Sequence, residues 1–263
     1  MKRFWPIMMQ SSSSIPWKFA PLNRPFVPAP GIRKLEGIVF DVDGTLCEPQ
    51  TYMFQEMRTA LGITKSQDIL DYVYSLPTLS AQETAMSLIK SIESRAMLSQ
   101  VAQPGLSTLI KYLDSKNIRK GICTRNFDAP VQNLLSKFLA GHEFTPIVTR
   151  DFRPPKPDPA GILHIAKSWG LFREAASDEE KGIPADEEEN DLVRTEKGGK
   201  VADASALIMV GDSVDDITAG RRAGAKTVLL VNDVNKHLVD HEHTDLVISR
   251  LDELIHVLEN GLL

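Results

Sequence analysis

Two aspartates one residue apart, Asp41 and Asp43, end the apolar run Gly37–Phe40 in the stretch GIVFDVDGTLC. Carboxylates this close repel each other unless a cation or a proton lies between them. Extended backbone aims residues i and i+2 to one side, and Gly44 allows a sharp turn away directly afterwards. Three more polar clusters accompany runs of strand type: Thr124 and Arg125 after RKGIC, Lys156 beyond FTPIVT, and Asp212, Asp215 and Asp216 after ALIMV. Carboxylates suit a hard, oxygen-preferring cation such as Mg²⁺. A hydroxyl and an ammonium suit the oxygens of an anion. Phosphoryl transfer asks little of a protein beyond positioned groups and neutralised charge.

These clusters can meet only if the intervening elements bring them together. GIVF, RKGICT, FTPIVT, ALIMV and KTVLLV read as buried strands. Between them lie helical stretches. Leu106, Leu109, Ile110 and Leu113 fall at i, i+3, i+4 and i+7. Val131, Leu134, Leu135 and Phe138 form a second apolar face, behind a capping Asp128. DPAGILHIAKSWG is a helix capped by Asp158 and stopped by Gly170, and SVDDITAGRRAG and LDELIHVLE are two more. Alternating strands and helices predict a doubly wound parallel α/β sheet. In such sheets ligands bind beyond the carboxyl ends of the strands, where all four clusters would stand. One segment breaks the alternation: residues 49–99 read as helices alone, near Tyr52–Leu61, near Ser66–Leu76 and from Ala81 onward. A small all-helical cap inserted after the first strand is expected, over a core of 36–48 and 100–263.

DVDGTL (41–46) and GDSVDD (211–216), with Thr124 and Lys156 between them in order, resemble the haloacid dehalogenase superfamily, in its phosphatase branch with a helical cap. The resemblance spans roughly residues 36–260 and implies a Rossmann-like core. It implies a Mg²⁺-dependent phosphatase acting on a small phosphorylated metabolite. Asp41 would be the nucleophile that becomes an aspartyl phosphate, and Asp43 the acid and then the base. Thr124 would bond a phosphoryl oxygen, and Lys156 would balance Asp41 and the phosphoryl group. The metal would be held by Asp41, the Asp43 backbone carbonyl and Asp212, with Asp216 behind them; Asp215 has no assigned part. In this picture metal and Lys156 keep Asp41 ionised. Asp43, crowded by negative charge, holds the proton. The same four clusters serve a phosphomutase or a phosphonate hydrolase. A haloacid dehalogenase needs no acid two residues after its nucleophile. A non-catalytic binding protein on this fold should have lost a charged member.

Other features have plainer readings. DVDG is no EF-hand loop, since Gly44 is fourth and Tyr52 twelfth where glycine should be sixth and glutamate twelfth. His237, His241 and His243 read as a solvated loop. Tyr52, Met53, Phe54, Met57, Tyr72 and Tyr74 are mostly cap interior, with one or two facing substrate. Arg125 is expected at the pocket mouth, either clamping a second anionic group or forming a surface salt bridge. Cys47 and Cys123, at the same sheet edge, are candidates for reversible oxidation.

Composition is that of a globular chain of 263 residues, with no apolar run long enough for a spanning helix. The net charge of −5 is uneven. Residues 1–35 carry Lys2, Arg3, Lys18, Arg24, Arg33 and Lys34 and no acid, so the remainder is more acidic than the total. Neither a nucleic-acid partner nor a membrane is expected of such a body. Two cysteines without a CxxC pair point to a reducing compartment, the cytoplasm. The basic, Pro- and Ser-rich arm also has the composition of a mitochondrial presequence, although its prolines break the helix such signals use. The arm through residue 35 is expected to be disordered. So is the insertion 172–203, where eight acids face one lysine across 178–191.

Overall fold

The computed structural model describes residues 18–175 and 199–261. Six strands form one parallel sheet: β3 (Gly37–Phe40), β4 (Arg119–Cys123), β5 (Ile147–Val148), β8 (Leu207–Gly211), β9 (Lys226–Leu230) and β10 (Leu246–Ile248). Their spatial order is β10-β9-β8-β3-β4-β5. The chain starts at the centre with β3, builds outward through β4 and β5, then returns to the other side of β3 to lay down β8. The switch point therefore falls between β3 and β8, which pair from Gly37↔Leu207 to Phe40↔Val210.

Burial on both faces explains why these strands read as unbroken apolar runs. Ile38 and Phe40 point into one core with Ile122, Ile208 and Val210. Val39 points into the other with Leu207 and Met209. The first core is closed by α4 (Leu106–Ser115), α5 (Asp128–Phe138) and α8 (Glu253–Asn260), the second by α6 (Ala160–Ser168) and α7 (Val214–Ala223). Ile38, Phe40, Ile208 and Val210 are fully buried. Each such side chain contributes about 1.5–3 kcal/mol, and together they fix the strand ends from which the polar clusters emerge. Helix α5 does begin at Asp128, but its N-cap is Phe127 and no side chain caps it; the Asp128 carboxylate accepts from Gln132 instead.

Between β3 and α4 the described chain is helical: α1 (Thr51–Leu61), α2 (Ile69–Ser75) and α3 (Leu79–Leu98). Met53, Met57, Ile69, Val73, Ala85, Ile89 and Ile92 form a separate apolar cluster, joined by Phe127 from the sheet side. Tyr52, Phe54 and Tyr74 are more exposed than the cap-interior reading requires.

The expected disorder is corrected only for the described parts of the two segments, 18–35 and the insertion edges 172–175 and 199–203. Within the arm, β1 (Lys18–Phe19) pairs in parallel with β2 (Ile32–Arg33), Phe19 and Leu35 are buried, and the Leu22 amide donates to Leu258 O at 2.8 Å. Prolines exclude helix but not short extended pairing, and two apolar anchors suffice to hold it. The edges of the insertion also pair: β6 (Phe172–Glu174) runs antiparallel to β7 (Lys200–Ala202), with Glu174 opposite Lys200. Opposite charges facing across a ladder favour that register. Residues 1–17, on which the presequence reading bears, and most of the acidic run lie outside the described residues.

Glu93 of α3 and Arg150, after β5, are both buried and bonded at 2.6 Å. Burial pushes the Glu93 carboxyl up to about 7, against the pull of Arg150. A carboxyl raised above its unfolded value of 4.5 stabilises the fold fully at low pH. That contribution disappears as pH rises through about 7. Denaturant midpoints of wild type and Glu93→Gln are therefore expected to differ more in wild type's favour at pH ~5 than at pH ~8, by up to about 3 kcal/mol. A difference independent of pH rejects the assignment.

Candidate active site

Asp41 follows the last residue of β3, Thr124 follows β4, Lys156 lies in the loop after β5, and Asp212 follows β8. The sheet order thus brings all four predicted clusters to one edge. Lys156 Nζ donates to Asp41 Oδ1 at 2.7 Å and to Asp216 Oδ1 at 2.5 Å. All three side chains are buried. Carboxylate oxygens of Asp41, Asp212 and Asp216 lie within 4.8 Å of one another. Asp216 also forms a capping box with Ser213 at the start of α7: Ser213 N and Oγ both donate to Asp216 Oδ2, at 3.0 and 2.6 Å. The plain capping role and a place in the acidic cluster are both fulfilled by this one carboxylate.

Glycines make the approach possible. Gly44 has φ +82°, and a Cβ there would come within 2.1 Å of Asp212 Oδ2. A Cβ on Gly211 would meet Asp216 Cβ at 2.2 Å. Gln103 Nε2 holds the Gly44 carbonyl at 2.8 Å. Asp212 is oriented by Asn232, which donates to Oδ2 at 3.1 Å, and by Asn235, which donates to its carbonyl at 2.7 Å.

Three carboxylates face one ammonium, so the site carries excess negative charge. Burial, countered by Lys156, leaves the Asp41 carboxyl pushed up to about 7. Burial together with Asp216 and Asp41 pushes Asp212 up to about 8. Lys156, though buried, is held charged by Asp216 and Asp41. A hard divalent cation fits this all-oxygen donor set. Asp43 is also raised, with burial as the cause, while Asn126, Cys47, Arg150 and Lys156 favour its charged form. The expectation that neighbouring negative charge would protonate Asp43 is replaced by one of desolvation. Asp43 Oδ2 is buried and has no hydrogen-bond partner among the described residues.

Thr124 is buried beside the cavity; its hydroxyl accepts the Asn126 amide at 3.2 Å, which leaves its own proton to donate. Arg125 lines the same cavity, but not as a free clamp. Its Nη1 donates to Asp215 and its Nη2 to Asp68, each at 2.7 Å. Asp68 is the N-cap of α2 and also accepts the Leu70 and Asp71 amides. Against the upward push of burial, Arg125 and these amides hold the Asp68 carboxyl below its usual range. The salt-bridge reading of Arg125 prevails, and Asp215 gains a part: it anchors Arg125 between α2 and the start of α7. His237 is exposed, as a solvated loop requires, and also lines the cavity from the turn Lys236–Leu238. Both cysteines are buried. Burial pushes Cys123 up to about 12, and burial with nearby Asp43 pushes Cys47 up as well. Neither has the thiolate character that oxidation requires.

The cavity above these residues measures about 460 Å³ and is roofed by α1 and the start of α2 through Phe54, Met57, Arg58, Ile69 and Leu70. A parallel sheet with acids, a hydroxyl and an ammonium at its switch point, under a helical roof, defines a hydrolase of the doubly wound α/β class. The chain belongs to the haloacid dehalogenase-like hydrolases, whose family model matches residues 35–224. It is 39% identical over 236 residues to an uncharacterized hydrolase of Saccharomyces cerevisiae, covering 88% of this chain and 94% of that protein. It is 28% identical over 157 residues to a phosphoglycolate phosphatase of Pseudomonas fluorescens, covering 59% of this chain and 46% of that one. Its fold matches the crystal structure of a hydrolase from Pseudomonas syringae with a TM-score of 0.60 at 22% identity, over 84% of this chain and 97% of that one.

Proposed function

We propose that the protein hydrolyses a small phosphate monoester in two steps, with Mg²⁺ as its cofactor. In the first, an Asp41 carboxylate oxygen forms a bond to phosphorus. The bond from phosphorus to the ester oxygen breaks, and the departing alkoxide takes a proton from Asp43. In the second, a water molecule gives a proton to the Asp43 carboxylate as its oxygen attacks phosphorus. The Asp41–phosphorus bond breaks, releasing inorganic phosphate and restoring the Asp41 carboxylate and the protonated Asp43. Lys156 orients Asp41 through Oδ1, and Thr124 donates its hydroxyl proton to a phosphoryl oxygen. Asp41, Asp212 and Asp216 would hold the cation, whose charge offsets theirs and that of the phosphoryl group. The roof excludes water from the reacting centre.

The observation that carries this reading is the Lys156 ammonium bonded to both Asp41 and Asp216, with Asp212 in the same cluster. The Pseudomonas phosphatase relative agrees with it. The presence of Asp43 favours phosphate ester cleavage over dehalogenation, and no charged member of the set has been lost. The test is phosphate release from an aryl phosphate. Release is expected with Mg²⁺ and should fall at least about 100-fold when a chelator removes it. Release that is unaffected by chelation removes the metal from the scheme. Halide release from a haloacid without phosphate release replaces it altogether.

A further inference from the structure

The cavity is lined by four cations: Arg58, Arg125, Arg150 and Lys156. Three already face carboxylates. Lys156 bonds Asp41 and Asp216, Arg125 bonds Asp68 and Asp215, and Arg150 bonds Glu93. Arg58 meets no carboxylate among the described residues. Its one hydrogen bond there is a long contact, 3.4 Å, from Nη1 to the Phe54 carbonyl on its own helix. Its Nε is buried and lacks a partner among the described residues. Phe54, Met57 and Arg58 all line the cavity, at the i, i+3 and i+4 spacing that forms one helix face. A guanidinium on the cavity-facing side of α1, half-buried and without a counter-ion, is incomplete as it stands. Burying such a group is unfavourable unless an anion meets it.

We propose that Arg58 binds a second anionic group of the substrate, a carboxylate or a phosphate on the alcohol side of the ester being cleaved. This deepens the phosphatase reading and rests on it. The lower wall of the cavity is acidic and is reserved for the cation and the transferring phosphoryl group. Among the described residues the roof offers one uncommitted positive charge, carried by a planar fork suited to carboxylate or phosphate oxygens. The substrate class is therefore a compact phosphate ester with negative charge at both ends, spanning the cavity from Asp41 to Arg58.

Three matched esters test this: propyl phosphate, the same chain ending in a carboxylate, and the bisphosphate of the corresponding three-carbon diol. Wild type is expected to prefer one or both of the doubly anionic esters by at least about tenfold in kcat/KM. In Arg58→Ala that preference ratio should fall roughly 10- to 100-fold, chiefly through KM, and Arg58→Lys should recover part of it. Which anionic ester is preferred identifies the group. An Arg58 that merely complements the carbonyl end of α1 would change the thermal midpoint and leave the ratio intact, which overturns the proposal. Equal wild-type efficiency on all three esters overturns it too, as does failure on all three while an aryl phosphate is cleaved. Failure on the aryl phosphate as well overturns the underlying phosphatase reading instead.

Discussion

Asp41→Asn is expected to lower phosphate release by roughly 10⁴-fold or more without unfolding the protein. The amide has the shape of the carboxylate, and its oxygen can still accept the Lys156 hydrogen bond now made to Oδ1 at 2.7 Å. It lacks the nucleophilic oxygen that the first step needs. The substitution also removes one negative charge from a buried cluster whose Asp41 carboxyl is already pushed up to about 7. The thermal midpoint should accordingly stay level or rise. The combination separates chemistry from folding, because a merely structural aspartate would lose both together. Acid quenching during turnover of a phosphorus-labelled ester provides the second readout: label stays on wild-type protein and is absent from the variant. Turnover within tenfold of wild type would assign the nucleophile to another group.

The sheet was legible because its physics is repetitive. Each central strand is buried on both sides, so Ile38, Val39 and Phe40 form one apolar run although they enter two different cores. Asp41, Thr124 and Asp212 stand directly after such runs and could be placed by that fact alone. The pairings β1–β2 and β6–β7 gave no such signal. They are two- and three-residue ladders, held by backbone bonds to which side-chain periodicity contributes little.

Within the site, identity was easier to read than partnership. That Arg125 would lie near the cavity follows from its place after β4. That it would be saturated by Asp68 and Asp215 depends on how α2 settles on the sheet edge, which no local pattern encodes. Asn126, Asn232 and Asn235 escaped notice for the same reason. Glu93 and Arg150 left a trace that could have been used. Ile89, Ile92, Glu93 and Ala96 are all buried on one face of α3. An acid inside an apolar stripe must find a partner, and Arg150 is that partner. Arg58 follows the opposite logic: it lines the cavity beside Met57 and Phe54 but meets no acid among the described residues, and this difference is what the proposed anion contact rests on.

Lys156→Met tests the electrostatic frame rather than the nucleophile. The ammonium is buried between Asp41 and Asp216. Methionine conserves most of its volume but none of its charge. Removing one partner from a buried ionic network leaves the others uncompensated, at about 3–5 kcal/mol. The loss should depend on pH in a definite direction. In wild type the ammonium pulls the Asp41 carboxyl down against burial; without it the folded-state value climbs further above the unfolded one. The variant is then least impaired in acid, where Asp41 is protonated in both states, and loses stability progressively as pH rises toward 8. Mg²⁺ should recover part of the lost stability, since it meets the same carboxylates, while phosphate release stays at least about 100-fold below wild type because Asp41 is no longer oriented. Denaturant midpoints at pH ~5.5 and ~8, each with and without Mg²⁺, measure all of this. A variant within about 1 kcal/mol of wild type at pH ~8 would show that the carboxylates do not depend on this ammonium for balance, and the charge bookkeeping on which the two-step scheme stands would fail with it.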